Sequence, residues 1–198
     1  MGRRLKLGID VDGVLADFVS AFRLEAQTVL GREFPHFSSS WNFSNWNITK
    51  AEETKVWDHI EATDNWFYLY LNSLPGVSQN IPWLTNEHEV YFITTRIQTA
   101  GLPIQRQTEM YLSDLGVEFP TVIVTRDKGP IAAALQLDAF LDDKFENVAR
   151  VAECSSKTKP YLMGASYNSS YEIPKRWKVV NCFQEFIEAL GGSNESAD

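Results

Sequence analysis

Apolar positions along the chain recur with two different periods. In "LKLGID" Leu5, Leu7 and Ile9 alternate with other residues and the run stops at Asp10, which predicts a short strand. In "ADFVSAFRLEAQTVLG" Phe18, Phe22 and Ala26 fall four apart, the spacing of one helix face, and Gly31 stands where a helix would stop. The same exchange repeats later in the chain. Strands are expected in "EVYFITT", "TVIVT", "AFLDD", "KPYLMG" and "WKVV", with helices in "PIQRQTEMYLSDLG", "GPIAAALQL", "KFENVARVAEC" and "CFQEFIEALGG". Strand–helix alternation predicts an α/β fold, a mainly parallel sheet with helices on both faces. The strands are mostly apolar, as strands covered on both sides should be.

From Glu33 to about Leu74 the rhythm stops. Aromatic residues crowd this stretch, among them Phe34, Phe37, Trp41, Phe43, Trp46, Trp57, Trp66, Phe67, Tyr68 and Tyr70, with Ser, Asn and Thr between them. "TKAEETKVWDHIEA" reads as one helix with Thr49 as its N-cap. The span from Val19 to Leu74 is too long for a plain connection, so it is expected to form a small helical subdomain. The tail "SNESAD" is expected to fray.

Composition narrows the choices. A chain of 198 residues with 44% hydrophobic content suits one globular domain, or a core carrying a modest insertion. The net charge of −8 comes without a basic stripe, which argues against a polynucleotide partner. A small anionic substrate needs only local positive charge or a metal ion. Cys154 and Cys182 fit no zinc or redox spacing and are expected to be buried, inert thiols. His36, His59 and His88 have no metal-ligand spacing. No long apolar run follows "MGRRLKLG", so neither a signal peptide nor a membrane span is expected, and a cytoplasmic protein fits.

The chemistry lies at the strand ends, where an open parallel sheet binds its ligands. The first strand ends in Asp10, Val11 and Asp12, and the second in Thr94, Thr95 and Arg96. The third is followed by Thr125, Arg126, Asp127 and Lys128, and the fourth ends in Asp142 and Asp143. Residues two apart in extended chain share a side, so Asp10 and Asp12 can face one site. "DVDG" alone could also be a solvated turn, and "DD" alone could cap the next helix. A calcium loop is excluded, because its twelfth position would be Ala21 rather than a bidentate Glu. Acids gathered at one rim call for a cation, and magnesium favours carboxylate oxygens, water and phosphate. Thr94 and Lys128 offer donors that suit a phosphate oxygen.

"DVDGVLADF", "YFITTR", "VTRDKGP" and "AFLDD" together resemble the four motifs of the haloacid dehalogenase (HAD) phosphohydrolases. "NWFYLYLNSLPGV" and "VTRDK" are similar to stretches of the 5′(3′)-deoxyribonucleotidase group within them. The resemblance implies a Rossmann-like core in residues 1–18 and 75–192, a helical cap in 19–74, and a disordered tail in 193–198. It implies that Asp10 is the nucleophile and Asp12 the general acid/base, with Thr94 and Lys128 stabilising the phosphoryl group. It also implies Mg²⁺ held by Asp10, the Asp12 carbonyl and the Asp142–Asp143 pair, with Asp143 the direct ligand by the group's pattern.

One departure stands out. The nucleotidase group follows its motif threonine with serine and proline, where this chain has Thr95 and Arg96. Arg96 could contact substrate phosphate or pair with a nearby acid. Phe18, Trp41, Phe43, Trp46, Trp66 and Phe67 are candidates to stack on a base, or simply to pack the cap. The expected function is a Mg²⁺-dependent 5′-nucleotidase preferring deoxyribonucleoside monophosphates. The alternatives are a phosphatase for another small metabolite, such as a sugar phosphate, and a non-catalytic phosphate binder. The expected partner is a small phosphorylated substrate, without polynucleotide or membrane; self-association as a homodimer is the other partner considered.

Overall fold

The structure is a computed structural model and describes residues 3–40, 43–64 and 66–191. Trp41 and the side chain of Trp66, both candidates for base stacking, lie outside the described residues, as does the expected frayed tail.

Six strands form one all-parallel sheet: β1 (Lys6–Ile9), β2 (Glu89–Thr94), β3 (Thr121–Val124), β4 (Ala139–Asp142), β5 (Lys159–Met163) and β6 (Lys178–Val180). They lie in the order β3-β2-β1-β4-β5-β6. The strand order reverses direction at β1, which puts the carboxyl ends of β1 and its neighbours at the crevice where such sheets bind ligands.

Alternation within each strand sends its side chains to the two faces of the sheet. Phe92 of β2, Leu141 of β4 and Tyr161 of β5 belong to one cluster, together with Ile81, Leu84, Phe183 and Phe186. Their neighbours Ile93 and Phe140 join Ala132, Leu137 and Val151 in a second cluster, and Leu162 packs with Val148 and Trp177 in a third. The first cluster is covered by α4 (Val77–Glu87), α5 (Ile104–Asp114) and α8 (Phe183–Ala189), and the others by α6 (Lys128–Leu135) and α7 (Phe145–Cys154). Both faces of the sheet are therefore dry, as its apolar strands require.

Between β1 and β2 the chain makes α1 (Phe18–Leu30), a 3₁₀ turn (Ser44–Trp46), α2 (Lys50–Ala62) and α3 (Trp66–Leu69) before α4. Asp17 caps α1 by accepting from the Ser20 N–H at 3.1 Å, and Gly31 closes it in the left-handed region at φ 65°. Thr49 starts α2 with a reciprocal cap: its hydroxyl oxygen accepts from the Glu52 N–H, and the Glu52 carboxylate accepts from the Thr49 N–H. The insertion leaves and returns through one paired neck. The Asp17 N–H donates to Asn72 and the Leu74 N–H to Leu15, both at 2.8 Å, around an antiparallel bridge between Ala16 and Ser73.

Two features depart from expectation. Helix α4 carries Pro82 in its interior, which breaks the helical signal in "VSQNIPWLTNE". Cys154 and Cys182 are free, but half-buried rather than buried. Among the described residues no helix is long and apolar enough to cross a membrane.

Candidate active site

Four strand ends converge as their polar residues suggest. Asp10 follows β1 directly, Thr94 ends β2, Lys128 opens α6 just after β3, and Asp142 and Asp143 close β4. After Asp12 the backbone folds back sharply, with Gly13 at φ 80°. A Cβ on Gly13 would lie 2.2 Å from Asp143 Oδ2, so glycine is needed both for the turn and for the packing of Asp143 against it.

Lys128 is the hub of the charged floor. Its Nζ lies 2.8 Å from Asp10 Oδ1 and 2.7 Å from Asp142 Oδ2, and its side chain is wholly buried. Burial alone would lower its pKa; the two carboxylates outweigh burial and hold it above the usual lysine value. Asp10 Oδ1 also accepts from the Val11 N–H at 2.7 Å, so the carboxylate has one fixed orientation. Burial pushes the Asp10 carboxyl up to about 7 against the pull of Lys128, and the charges of Asp142 and Asp12 add to the rise.

The two adjacent acids play different parts. Asp142 is saturated: its oxygens accept from Lys128 Nζ, the Lys144 N–H at 2.8 Å and the Asn147 side-chain amide at 3.1 Å. Asp143 accepts at Oδ2 from the Tyr167 hydroxyl, while its buried Oδ1 has no hydrogen-bond partner among the described residues. Its pKa is raised well above the ordinary value by burial, then by Asp142 and Asp10. Carboxylate oxygens of Asp10, Asp142 and Asp143 come within 4.8 Å of one another. An all-oxygen, doubly acidic pocket with a buried orphan oxygen fits a hard divalent cation. Thr94 is likewise buried, and among the described residues its Oγ1 has no hydrogen-bond partner.

Above this floor lies a cavity of about 340 Å³. Asp10, Asp12, Thr94, Thr95, Arg96 and Asp143 line its core side, and Phe18, Phe43, Trp57 and Tyr68 of the insertion line the opposite wall. Of the aromatic candidates, the structure brings Phe18 and Phe43 to the cavity. It does not bring Trp46 or Phe67 there. Trp46 is buried against Phe34 and Phe43, and its indole N–H donates to the Phe37 carbonyl at 2.9 Å. Phe67 is 2% exposed and packs edge-on against Phe18 and Tyr68. These rings fill the insertion's own core, which has few aliphatic side chains to do so. Arg96 also lines the cavity and forks onto both oxygens of Asp12, so the pairing with a nearby acid is present in the structure.

Several cavity residues escaped the sequence pattern. Glu53 and Trp57 lie four apart on α2, a helical spacing that sequence alone could have grouped. Arg126, noted in the sequence only as part of the polar run before Lys128 and given no role there, is exposed at the rim. Lys144 and Asn147 follow the paired acids. Tyr167 reaches Asp143 from the loop after β5, and no local signal marks it.

Comparisons with known proteins bear on the family and the fold. The family described as "5' nucleotidase, deoxy (Pyrimidine), cytosolic type C protein" matches residues 3–188. The "Putative 5'(3')-deoxyribonucleotidase" of Chlorobaculum tepidum is 25% identical over 150 residues, covering 73% of this chain and 72% of that protein. A haloacid dehalogenase-like hydrolase structure from Streptococcus pneumoniae superposes with a TM-score of 0.60 at 10% identity, covering 94% of this chain and 98% of that one. The magnesium-bound HAD-hydrolase YfnB structure from Bacillus subtilis gives 0.59 at 13% identity, covering 96% and 100%. At these identities the solved structures speak for the fold. The family match extends across both the core and the insertion, and the chain belongs to that 5′-nucleotidase family, a phosphoric monoester hydrolase with the haloacid dehalogenase fold.

Proposed function

We propose that the chain is a Mg²⁺-dependent 5′-nucleotidase for deoxyribonucleoside monophosphates that works through an aspartyl-phosphate on Asp10. The observation that carries this reading is the floor of the cavity. Asp10, Thr94 and Asp143 line one cavity under aromatic rings, the buried ammonium of Lys128 holds Asp10 from beneath, and among the described residues Thr94 Oγ1 and Asp143 Oδ1 have no hydrogen-bond partner.

Asp10, Asp143 and the Asp12 carbonyl would hold Mg²⁺. The ion supplies positive charge to a phosphoryl oxygen beside an anionic nucleophile. Asp142, already saturated, keeps Lys128 in place instead. Lys128 and the Thr94 hydroxyl offset charge on the transferring group. Asp10 has Oδ1 tied to Lys128 and to the Val11 N–H, which aims Oδ2 at phosphorus. The bond from Oδ2 to phosphorus forms as the phosphorus–ester oxygen bond breaks, and Asp12 gives its proton to the departing oxygen to release an alcohol. Water then attacks phosphorus, its proton goes to Asp12, and the bond to Asp10 breaks to release phosphate. Phe18, Phe43 and Trp57 exclude water and offer ring faces to a base.

Phosphate release from deoxyribo- and ribonucleoside 5′-monophosphates and sugar phosphates, with Mg²⁺ or EDTA, tests the proposal. Release should be highest for deoxynucleotides, vanish in EDTA and be lost in Asp10→Asn. Release only from sugar phosphates would discard the substrate, and an inactive folded enzyme would discard the catalytic reading.

A further inference from the structure

Arg96 follows Thr94, the proposed phosphate-binding hydroxyl, by two residues, and its guanidinium goes to Asp12. Its Nη2 donates to Asp12 Oδ1 at 2.8 Å and its Nε to Asp12 Oδ2 at 3.0 Å. These are the side-chain hydrogen bonds that the Asp12 carboxylate receives among the described residues. The Arg96 side chain is itself completely buried.

The burial is aromatic on two sides. The guanidinium carbon lies 4.7 Å from the ring centre of Tyr68 and 5.3 Å from that of Tyr111. Tyr111 belongs to α5 of the core, and so does Thr108, whose hydroxyl accepts from Arg96 Nη1 at 3.3 Å. Tyr68 belongs to α3 of the insertion. A planar cation between rings, with its fork filled by one carboxylate, has little freedom left. The same sleeve therefore joins the insertion, the core and the acid/base.

We propose that Arg96 is the positioning residue for Asp12, and that Tyr68 lets the insertion set that position, so that the acid/base is in register only when the insertion packs over the core. The proposal rests on the hydrolase reading above. It assigns Arg96 to the leaving-group side of the reaction rather than to the phosphate. When the phosphorus–oxygen bond breaks, the Asp12 proton must already point at the ester oxygen, and a small misplacement of such a group is felt strongly in rate. An aryl ester, whose leaving anion is stable without that proton, should depend on Arg96 much less.

Leaving groups provide the test. The kcat/KM of wild type, Arg96→Lys, Arg96→Gln and Tyr68→Leu is measured at saturating Mg²⁺ for alkyl monophosphates, with a deoxyribonucleoside 5′-monophosphate and glycerol phosphate as probes, and for p-nitrophenyl phosphate. kcat/KM covers the steps up to alcohol departure, so hydrolysis of the aspartyl-phosphate does not mask the effect. The Arg96 variants should lose about 100-fold or more on the alkyl esters and less than about 10-fold on the aryl ester, within the range of general acid catalysis. Tyr68→Leu keeps the ion pair, so it remains informative if an Arg96 variant fails to fold, and it should show a smaller loss in the same direction. Combining Arg96→Gln with Asp12→Asn should add little to Asp12→Asn alone, since both remove one unit. Equal losses on both ester classes, as a phosphate ligand would give, overturn the proposal, as do additive losses in the double variant or unchanged rates in all three single variants. A wild type inactive on every ester overturns the hydrolase reading and this proposal with it, whereas an active wild type with equal losses overturns this proposal alone.

Discussion

Tyr167 donates its hydroxyl hydrogen to one oxygen of Asp143, and the other oxygen is buried without a hydrogen-bond partner among the described residues. On the proposed metal assignment, a residue that arrives after β5 thus stands behind the Asp143 ligand. Partners behind a metal ligand typically contribute about 10–100-fold to metal affinity. Tyr167→Phe should weaken Mg²⁺ binding by that much, seen as a right-shifted Mg²⁺ titration of the melting temperature. Raising Mg²⁺ should restore most of kcat. An unshifted titration would remove Tyr167 from the metal site.

Gly13→Ala should be severe for a change of one methyl group. The new Cβ would sit 2.2 Å from Asp143 Oδ2 in a backbone held at φ 80°. Left-handed backbone at a non-glycine residue costs on the order of 1–3 kcal/mol before the clash is counted. Urea unfolding should show at least that loss, and Mg²⁺-dependent activity should fall with it. Gly31→Ala, where nothing lies within 4 Å of the added Cβ, is the control that separates backbone strain from the clash.

Lys128→Met would leave the buried carboxylates around Asp10 without their cation. Breaking a buried ion pair by removing one partner costs about 3–5 kcal/mol. The expected loss appears in EDTA and shrinks when Mg²⁺ is added, because the ion replaces part of the missing charge. Activity should fall by roughly 10²–10³, the range for losing one group that stabilises transition-state charge. Calorimetry with and without Mg²⁺ checks the first point and steady-state rates check the second.

Asp10 is protonated more readily in the folded chain than in the unfolded one, at about 7 against 3.8, and Asp143 shifts in the same direction. Between those values the native state binds more protons than the unfolded state. Metal-free stability contributed by these groups is therefore full at low pH and is lost as pH rises from about 4 to about 7. A cation competes with those protons, so the gain in melting temperature on adding Mg²⁺ should be larger near pH 8 than near pH 5. A gain independent of pH would contradict the assignment of these acids to the metal site.

Trp57 should matter to nucleotides and not to phosphate itself. It lines the cavity from α2, and Phe18 stacks beside it with centroids 6.0 Å apart. Base–aromatic stacking is worth roughly 1–3 kcal/mol, so Trp57→Ala should lower kcat/KM for a nucleotide by about 10–100-fold. Glycerol phosphate, which has no base, should be hydrolysed with nearly unchanged kcat/KM. Equal losses on both would assign Trp57 to packing.

The legible part of the site is the part that strand geometry repeats. Asp10, Thr94, Lys128 and Asp143 each follow an apolar run, so sheet topology alone brings them to one rim. Arg96 and Asp12 are 84 residues apart, and nothing in either segment says which way the guanidinium turns. Tyr167 lies in an irregular loop, where no period places a side chain. The rings of the insertion posed a different difficulty: Phe43 and Trp46 have the same local chemistry, yet one lines the cavity and the other packs behind it. That choice depends on the fold of a segment too rich in interchangeable aromatics to dictate it locally. Helix α4 was hidden by Pro82, whose place in a helix interior only tertiary packing sustains.

The neck at Ala16 and Ser73 has a consequence for how such an enzyme can change. The chain departs and comes back side by side, so the catalytic sheet is closed without the insertion between them. A different length or sequence grafted at this point would leave the order of the strands undisturbed. The aromatic wall and the strand-end residues thus sit on separable pieces of one chain, and an exchanged insertion would have to bring a ring back against Arg96, as Tyr68 does, for the rim to keep its arrangement.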